Sequence, residues 1–147
     1  MSHQIMITIR PAAEADVETL RSFDLVALRD DARREFIARS VAAGTCHVAE
    51  ADGDVIGYGV LSHAFYGHGF VEMLYVHPGR RRRGAGAALL LHMESLCRSP
   101  KLFTSTNLSN LPMQSLLNKA GYALSGVIHN LDEADPELVY FKRLRQA

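Results

Sequence analysis

The residues best placed to do chemistry lie in the stretch Val76-His77-Pro78-Gly79-Arg80-Arg81-Arg82-Arg83-Gly84-Ala85-Gly86. It joins an apolar run ending at Val76 to a segment with Leu89, Leu90, Met93, Leu96 and Cys97 at helical spacing. A helix start leaves about four backbone N–H groups without an intrahelical acceptor. This one has no Ser, Thr, Asp or Asn at its mouth to cap them. Gly84 and Gly86 let a ligand approach the backbone closely, while the helix dipole and four arginines favour negative charge, so the junction suits a phosphate or pyrophosphate. Other phosphate loops fit worse. Gly79 and Gly84 have Walker A spacing, but Ala85 and Gly86 stand in the Lys and Ser/Thr places. The dinucleotide fingerprint fails because Leu89 stands where Gly84-x-Gly86 needs a third Gly or Ala. A solvated basic turn and a nucleic-acid patch are the competing readings of the arginines.

The elements that must hold this junction follow from pattern. Residues 5–10 alternate as a strand and stop at Pro11, and 14–28 carry Val17, Leu20, Leu25 and Leu28 at loose helical spacing. A second helix covers 30–42. Residues 45–49 and 55–62 flank Asp52-Gly53 as a hairpin, its second strand weakened by Gly57 and Gly59, and a loop rich in Gly and His follows. Residues 70–76 are apolar on both faces apart from Glu72, the pattern of a central strand covered on both sides. Then come a helix over 84–97, a strand over 102–106, a helix over 109–120 before Gly121, and strands over 122–128 and 138–144. The order is strand, two helices, three strands, helix, strand, helix, two strands: an α/β (α+β) chain with a mixed sheet of about seven strands and about four helices.

Composition bounds the rest. At 147 residues, 48% apolar and 22% charged, the chain reads as one globular domain over 1–147. Sixteen basic residues balance sixteen acidic ones, whereas a dedicated nucleic-acid or membrane-surface binder is usually more basic. No run approaches the roughly 20 apolar residues of a membrane span. The apolar stretch 5–9, interrupted by Thr8 and preceded by no basic region, does not make a signal peptide, so a soluble, cytoplasmic protein is expected. Cys46 and Cys97 are too far apart for a redox CxxC or a zinc ribbon and read as buried free thiols. His63 and His68 have no third ligand at persuasive spacing, so no metal is expected.

At residues 81–86 the chain resembles the GNAT superfamily of N-acetyltransferases. Arg81, Arg82, Arg83, Gly84, Ala85 and Gly86 match its acetyl-coenzyme A signature, Arg/Gln-x-x-Gly-x-Gly/Ala, with the usual Val-x-Pro before it at Val76 and Pro78. Ile9-Arg10-Pro11 with Asp16 resembles the family opening, and Asn110 precedes Gly121-Tyr122 as the family's Asn precedes its Gly-Phe. The resemblance implies a GNAT-like, mostly antiparallel sheet that splays beside the strand ending at Val76. It implies that the backbone of Leu74, Tyr75 and Val76 pairs with the pantetheine arm of acetyl-coenzyme A. The N–H groups of residues 81–86 would hold the pyrophosphate, and Asn110 would contact the coenzyme or cap its helix. An acceptor amine would attack the thioester directly, with a polarising N–H near Val76. The partners implied are acetyl-coenzyme A and an amine, with no nucleic acid and no membrane; a homodimer is left open.

An amine attacks only when neutral, and a lysine-like amine has a pKa of about 10.4, so a base or a water chain must take its proton. Glu72, the sole charge in its strand and on one face with Leu74 and Val76, is the candidate base, and partial burial is expected to raise its pKa. A structural ion pair or an exposed strand position are its other readings. His63, Tyr66 and His68 are rivals. Many family members place a tyrosine acid seven residues after the Asn; here that position is Leu117, leaving water, Ser115 or Tyr122 to protonate the departing thiolate. The acidic turn Asp132, Glu133, Asp135, Glu137 is either a solvated loop or, by resemblance, an attractive rim near the acceptor entrance. The alternatives to an enzyme are an acetyl-coenzyme A sensor without transfer and an interaction domain that holds nucleic acid.

Overall fold

The structure, a computed structural model, describes residues 6–146. Its elements run β1 (Ile7–Pro11), α1 (Asp16–Phe23), α2 (Asp31–Ala42), β2 (Cys46–Ala51), β3 (Asp54–Phe65), β4 (His68–Val76), a single 3₁₀ turn (Pro78–Arg80), α3 (Ala85–Leu96), β5 (Lys101–Asn107), α4 (Leu111–Lys119), β6 (Ala123–Ile128) and β7 (Glu137–Arg143). That is the expected order. Ile5, read as the first residue of β1, lies outside the described residues. The strands form one mixed sheet in the order β1-β2-β3-β4-β5-β7-β6. β4 and β5 are parallel; the pairs β1–β2, β2–β3, β5–β7 and β6–β7 are antiparallel. By its contacts the chain divides into two compact units, Met1–Val60 with Met73–Met93, and Leu61–Glu72 with Glu94–Ala147.

In the first unit, residues 73–76 carry side chains into two separate clusters. Met73 and Tyr75 pack with Leu20, Phe23, Ala27, Ile37, Val48 and Tyr58, whereas Leu74 and Val76 pack with Ala49, Ile56, Ala85 and Leu89. This is the double cover expected of a central strand, produced by the two-residue alternation of side chains. Gly57 has a packing reason for lacking a side chain, because a Cβ there would meet the Tyr75 carbonyl oxygen at 2.9 Å. At the start of the unit, Arg10 pairs with Glu50 and with Asp16 (2.7 Å), and the Asp16 carboxylate accepts the Ala13 N–H. The Arg10 hydrogen bond holds that carboxyl below its usual range.

Two expected boundaries are corrected. The helix predicted over 14–28 ends at Phe23, because the next residue, Asp24, takes the N–H groups of Val26 and Ala27 on its carboxylate and turns the chain. Leu25 and Leu28, expected at helical spacing, lie beyond the helix and are exposed. The predicted Gly- and His-rich loop is instead a two-residue hairpin. Tyr66 (φ 53°) and Gly67 (φ 80°) both have left-handed backbone, the conformation that a tight turn between twisted strands requires, so β3 and β4 run almost to its tip.

In the second unit β5 alternates buried and half-buried residues along its length, with Leu102, Thr104 and Thr106 inward. Phe65, Phe70, Phe103 and Phe141 form a row of rings with centroids 4.8–5.9 Å apart. β4 pairs with β5 over three residues only, Gly69, Phe70 and Val71 against Leu102, Phe103 and Thr104. At the end of that pairing the Thr104 hydroxyl donates to the Val71 carbonyl (3.0 Å). Cys46 and Cys97 are buried free thiols, as expected, and burial pushes the Cys46 thiol up to about 12.

Candidate functional site

The junction between β4 and α3 is braced from below and open above. The His77 N–H donates to the Ile56 carbonyl (2.7 Å), and His77 Nδ1 accepts the Gly79 N–H (2.9 Å), which folds the 3₁₀ turn. Arg80 reaches Asp54 (2.7 Å). Arg81 turns back, donating from Nε to the Val76 carbonyl (3.3 Å) with its guanidinium 5.7 Å from the centre of the Tyr75 ring. The four arginines are thus not equivalent. Two brace the loop, and Arg82 and Arg83 are exposed, with no side-chain partner among the described residues.

Backbone conformation then turns the chain into α3. Arg82 (φ 65°) and Gly84 (φ 87°) are both left-handed, the kind of backbone from which anion-binding amide nests are built. An L side chain at position 84 would be strained there. The Gly84 carbonyl accepts the Ala88 N–H as the first helical bond. The amides of residues 82–87 find no acceptor among the described residues. Ala85 is buried and anchors this end of the helix against Ala49 and Ile56. The first unit therefore brings Leu74, Tyr75, Val76, Arg81, Arg82, Arg83, Gly84, Ala85 and Gly86 together along one strand, turn and helix, and the open amides suit an anion.

Behind the strand lies a polar group that the sequence reading missed. Asp24 is fully buried and accepts the Tyr58 hydroxyl (2.5 Å) and Arg33 Nε (2.9 Å) on one oxygen. Burial and that bond push the Tyr58 hydroxyl well above its usual range. The Tyr75 hydroxyl accepts the Leu25 N–H (3.0 Å), and Arg33 lies 5.9 Å from the Tyr75 ring centre. A lone acid inside the apolar run Phe23-Asp24-Leu25-Val26 was the available signal, since a buried carboxylate must have partners.

The remaining candidates are in the second unit. Glu72 is exposed, which corrects the expected partial burial: the alternation that buries Val71 turns Glu72 to solvent. His63 Nε2 accepts the Arg98 N–H (3.0 Å), so that nitrogen's lone pair is already used. His68 lies against Phe103, and Tyr66 is 88% exposed at the hairpin tip. Asn110 caps α4, its Oδ1 accepting the Met113 N–H (3.2 Å). Leu117 is fully buried. Tyr122 is buried and its hydroxyl donates to Glu94 (3.0 Å), while Ser115 is exposed. In the acidic turn Asp132 holds Asn107, Asp135 holds both the N–H and the hydroxyl of Ser109, and Glu137 holds Ser105. No group of three metal-ligating side chains occurs among the described residues.

Residues 12–122 match the family model of the acetyltransferase (GNAT) family. The chain belongs to that family. A GNAT-family acetyltransferase of Bacillus cereus is 32% identical, with 97% of this chain and 99% of that one covered at a TM-score of 0.88. The GNAT fold recurs in yncA of Salmonella typhimurium, solved with its cofactor acetyl-CoA (19% identity, 96% and 95% covered, TM-score 0.75). It recurs in the ribosomal-protein-S18-alanine N-acetyltransferase of Escherichia coli (16% identity, 97% and 96% covered, TM-score 0.78). None of the curated proteins matches the sequence. Membership makes the chain a GNAT acetyltransferase, and residues 76–86 join β4 to α3, the strand-to-helix context expected for them. No helix among the described residues is long and apolar enough to cross a membrane.

Proposed function

We propose that this GNAT chain, acting as one domain over 1–147, moves an acetyl group from acetyl-CoA to a primary amine, on a small molecule or a protein, by direct attack. The observation that carries the reading is the row of amides at residues 82–87, which contains the left-handed Gly84 and finds no acceptor among the described residues, beside Arg82 and Arg83, which have no side-chain partner among them. Those amides would hold the pyrophosphate, with Arg82 and Arg83 adding charge. The backbone of Leu74, Tyr75 and Val76, kept rigid by packing on both faces, would pair with the pantetheine arm. Asn110 still has its Nδ2 donors for the coenzyme.

Acetyl-CoA supplies the activated acyl group; the chain supplies position and proton transfer. Glu72 would take the amine's proton, directly or through water, its exposure leaving it open to an incoming acceptor. A backbone N–H near Val76 would polarise the carbonyl. A thiolate of pKa about 8.5 can leave without a protein acid, which suits Leu117 at the usual tyrosine place. The same buried Leu117 favours a second reading, a sensor that binds acetyl-CoA and transfers nothing. The reading places the protein in the cytoplasm, without nucleic acid or membrane, and allows a homodimer.

Calorimetry with acetyl-CoA, then a panel of amines read by thiol release and product mass, tests the proposal. Ligand at 100 times its dissociation constant should stabilise the fold by about 2.7 kcal/mol. Binding with thiol release and an acetylated product supports transfer; binding with neither supports the sensor; no binding discards both.

A further inference from the structure

On the Tyr75 side of β4 the chain has built a charged group that the phosphate loop does not need. Four donors surround the buried Asp24 carboxylate: the Val26 and Ala27 N–H groups on Oδ1, and the Tyr58 hydroxyl and Arg33 Nε on Oδ2. Arg33 is therefore gripped through a single nitrogen. Its side chain is 20% exposed, and its two Nη groups have no partner among the described residues. A guanidinium presents its donors along edges, and the end edge formed by both Nη groups matches the two oxygens of a carboxylate.

The surroundings point the same way. Arg81 approaches the Tyr75 ring at 5.7 Å and Arg33 at 5.9 Å, so two guanidiniums meet this ring while one carboxylate, Asp24, is hydrogen-bonded into the group. The Tyr75 hydroxyl accepts from the Leu25 N–H, which leaves its own proton to donate. Arg33 costs little motion to organise, since Asp24 and the ring already fix it. Tyr75 stands between Leu74 and Val76, the backbone read above as the pantetheine partner.

We propose that Arg33 is a specificity-determining residue, and that the acceptor is an amine which also bears a carboxylate, held on the free Nη edge of Arg33. The inference rests on the acetyltransferase reading above and names its acceptor class. Asp24 and Tyr58 are positioning residues that aim Arg33. A cationic polyamine, which offers Arg33 no oxygen pair, is a poor acceptor.

The test compares matched amines with and without a carboxylate, such as amino acids against their amides and decarboxylated amines, together with phosphomonoester-bearing amines. The carboxylate should raise kcat/KM by about 10-fold to 100-fold, the worth of charge-assisted hydrogen bonds in a partly buried site. Arg33→Gln should erase that preference mainly through KM, read within the variant as the ratio of kcat/KM for each carboxylate-bearing amine to that of its carboxylate-free match, so that a general loss of activity cancels. Arg33→Lys, which keeps the charge without the fork, should restore only part of the preference. An unchanged circular dichroism spectrum and thermal transition serve as the measure that each variant is folded. If the native protein binds and consumes acetyl-CoA with amines but shows no carboxylate preference, prefers phosphomonoesters, or keeps its preference in Arg33→Gln, this inference is wrong and the acetyltransferase reading stands. If it binds no acetyl-CoA, the acetyltransferase reading itself fails.

Discussion

α3 and α4 each begin after a strand and a turn, and they begin in opposite ways. At α4 the donors are consumed: Asn110 takes the Met113 N–H, Pro112 has none to offer, and Gln114 ties back to the carbonyls of Asn107 and Leu108. Ser109, just before the helix, gives its N–H and hydroxyl to Asp135. At α3 the loop is braced by Asp54, Val76 and Ile56, but the amides of residues 82–87 have no acceptor among the described residues. A helix start closed by its own side chains is structural, whereas one left open and positive has a place for an anion. The far end of α3 makes the same contrast, since His63 accepts the Arg98 N–H and Arg145 donates to the carbonyls of Cys97 and Arg98.

The largest effect should come from filling the open start. Gly86→Asp puts a side chain and a negative charge at the amides and should weaken acetyl-CoA binding by about 10³-fold or more, with circular dichroism unchanged. Retained affinity in a folded variant would mean that α3 is no more a binding site than α4.

Glu72→Gln separates binding from transfer. The catalytic rate near neutral pH should fall by roughly 10²-fold while acetyl-CoA affinity holds, because a general base contributes to the chemical step alone. An unchanged rate and pH profile would hand the proton to water, Tyr66 or His68.

Two substitutions at the closed start separate capping from coenzyme contact. Asn110→Ala removes the cap and should cost about 1 kcal/mol of stability by denaturant titration. Asn110→Asp keeps a capping oxygen but loses the Nδ2 donors, so stability should hold while acetyl-CoA binds several-fold more weakly. Equal affinity in both variants would leave Asn110 a cap and nothing else.

The smallest effect is a pH dependence at the far end of α3. Burial and the charge of Arg98 lower the pKa of His63 below its usual value of about 6.5. In that window the unfolded chain binds the proton more readily, so the stability this site contributes is complete above pH 6.5 and is lost as pH falls through the folded pKa. Replacing His63 by Asn should flatten stability against pH below 6.5; an identical slope in both proteins would remove His63 from the account.

Much of this protein was legible from residues close together in the chain. The element order, the uncapped and glycine-rich start of α3, the buried thiols at Cys46 and Cys97 and the family itself were read from alternation, capping chemistry and short spacings. Those signals are local, so a single sequence carries them whole. The Tyr66-Gly67 hairpin was misread because only Gly67 announced a left-handed backbone, and Tyr66 adopts one too.

What tertiary structure decided is which like residues do unlike work. Four consecutive arginines look alike in sequence, yet Arg80 is spent on Asp54, twenty-six positions away, and Arg81 on Val76 and Tyr75. Glu72 looks buried by its neighbours and is exposed, because the strand's alternation and not its mean polarity sets which way a side chain faces. Asp24, Tyr58 and Arg33 are unremarked polar residues until the fold sets Tyr58 against Asp24 across thirty-four positions. A charged side chain's role depends on what neutralises it, and for these residues the neutralising partner lies far along the chain, where only the fold brings it near.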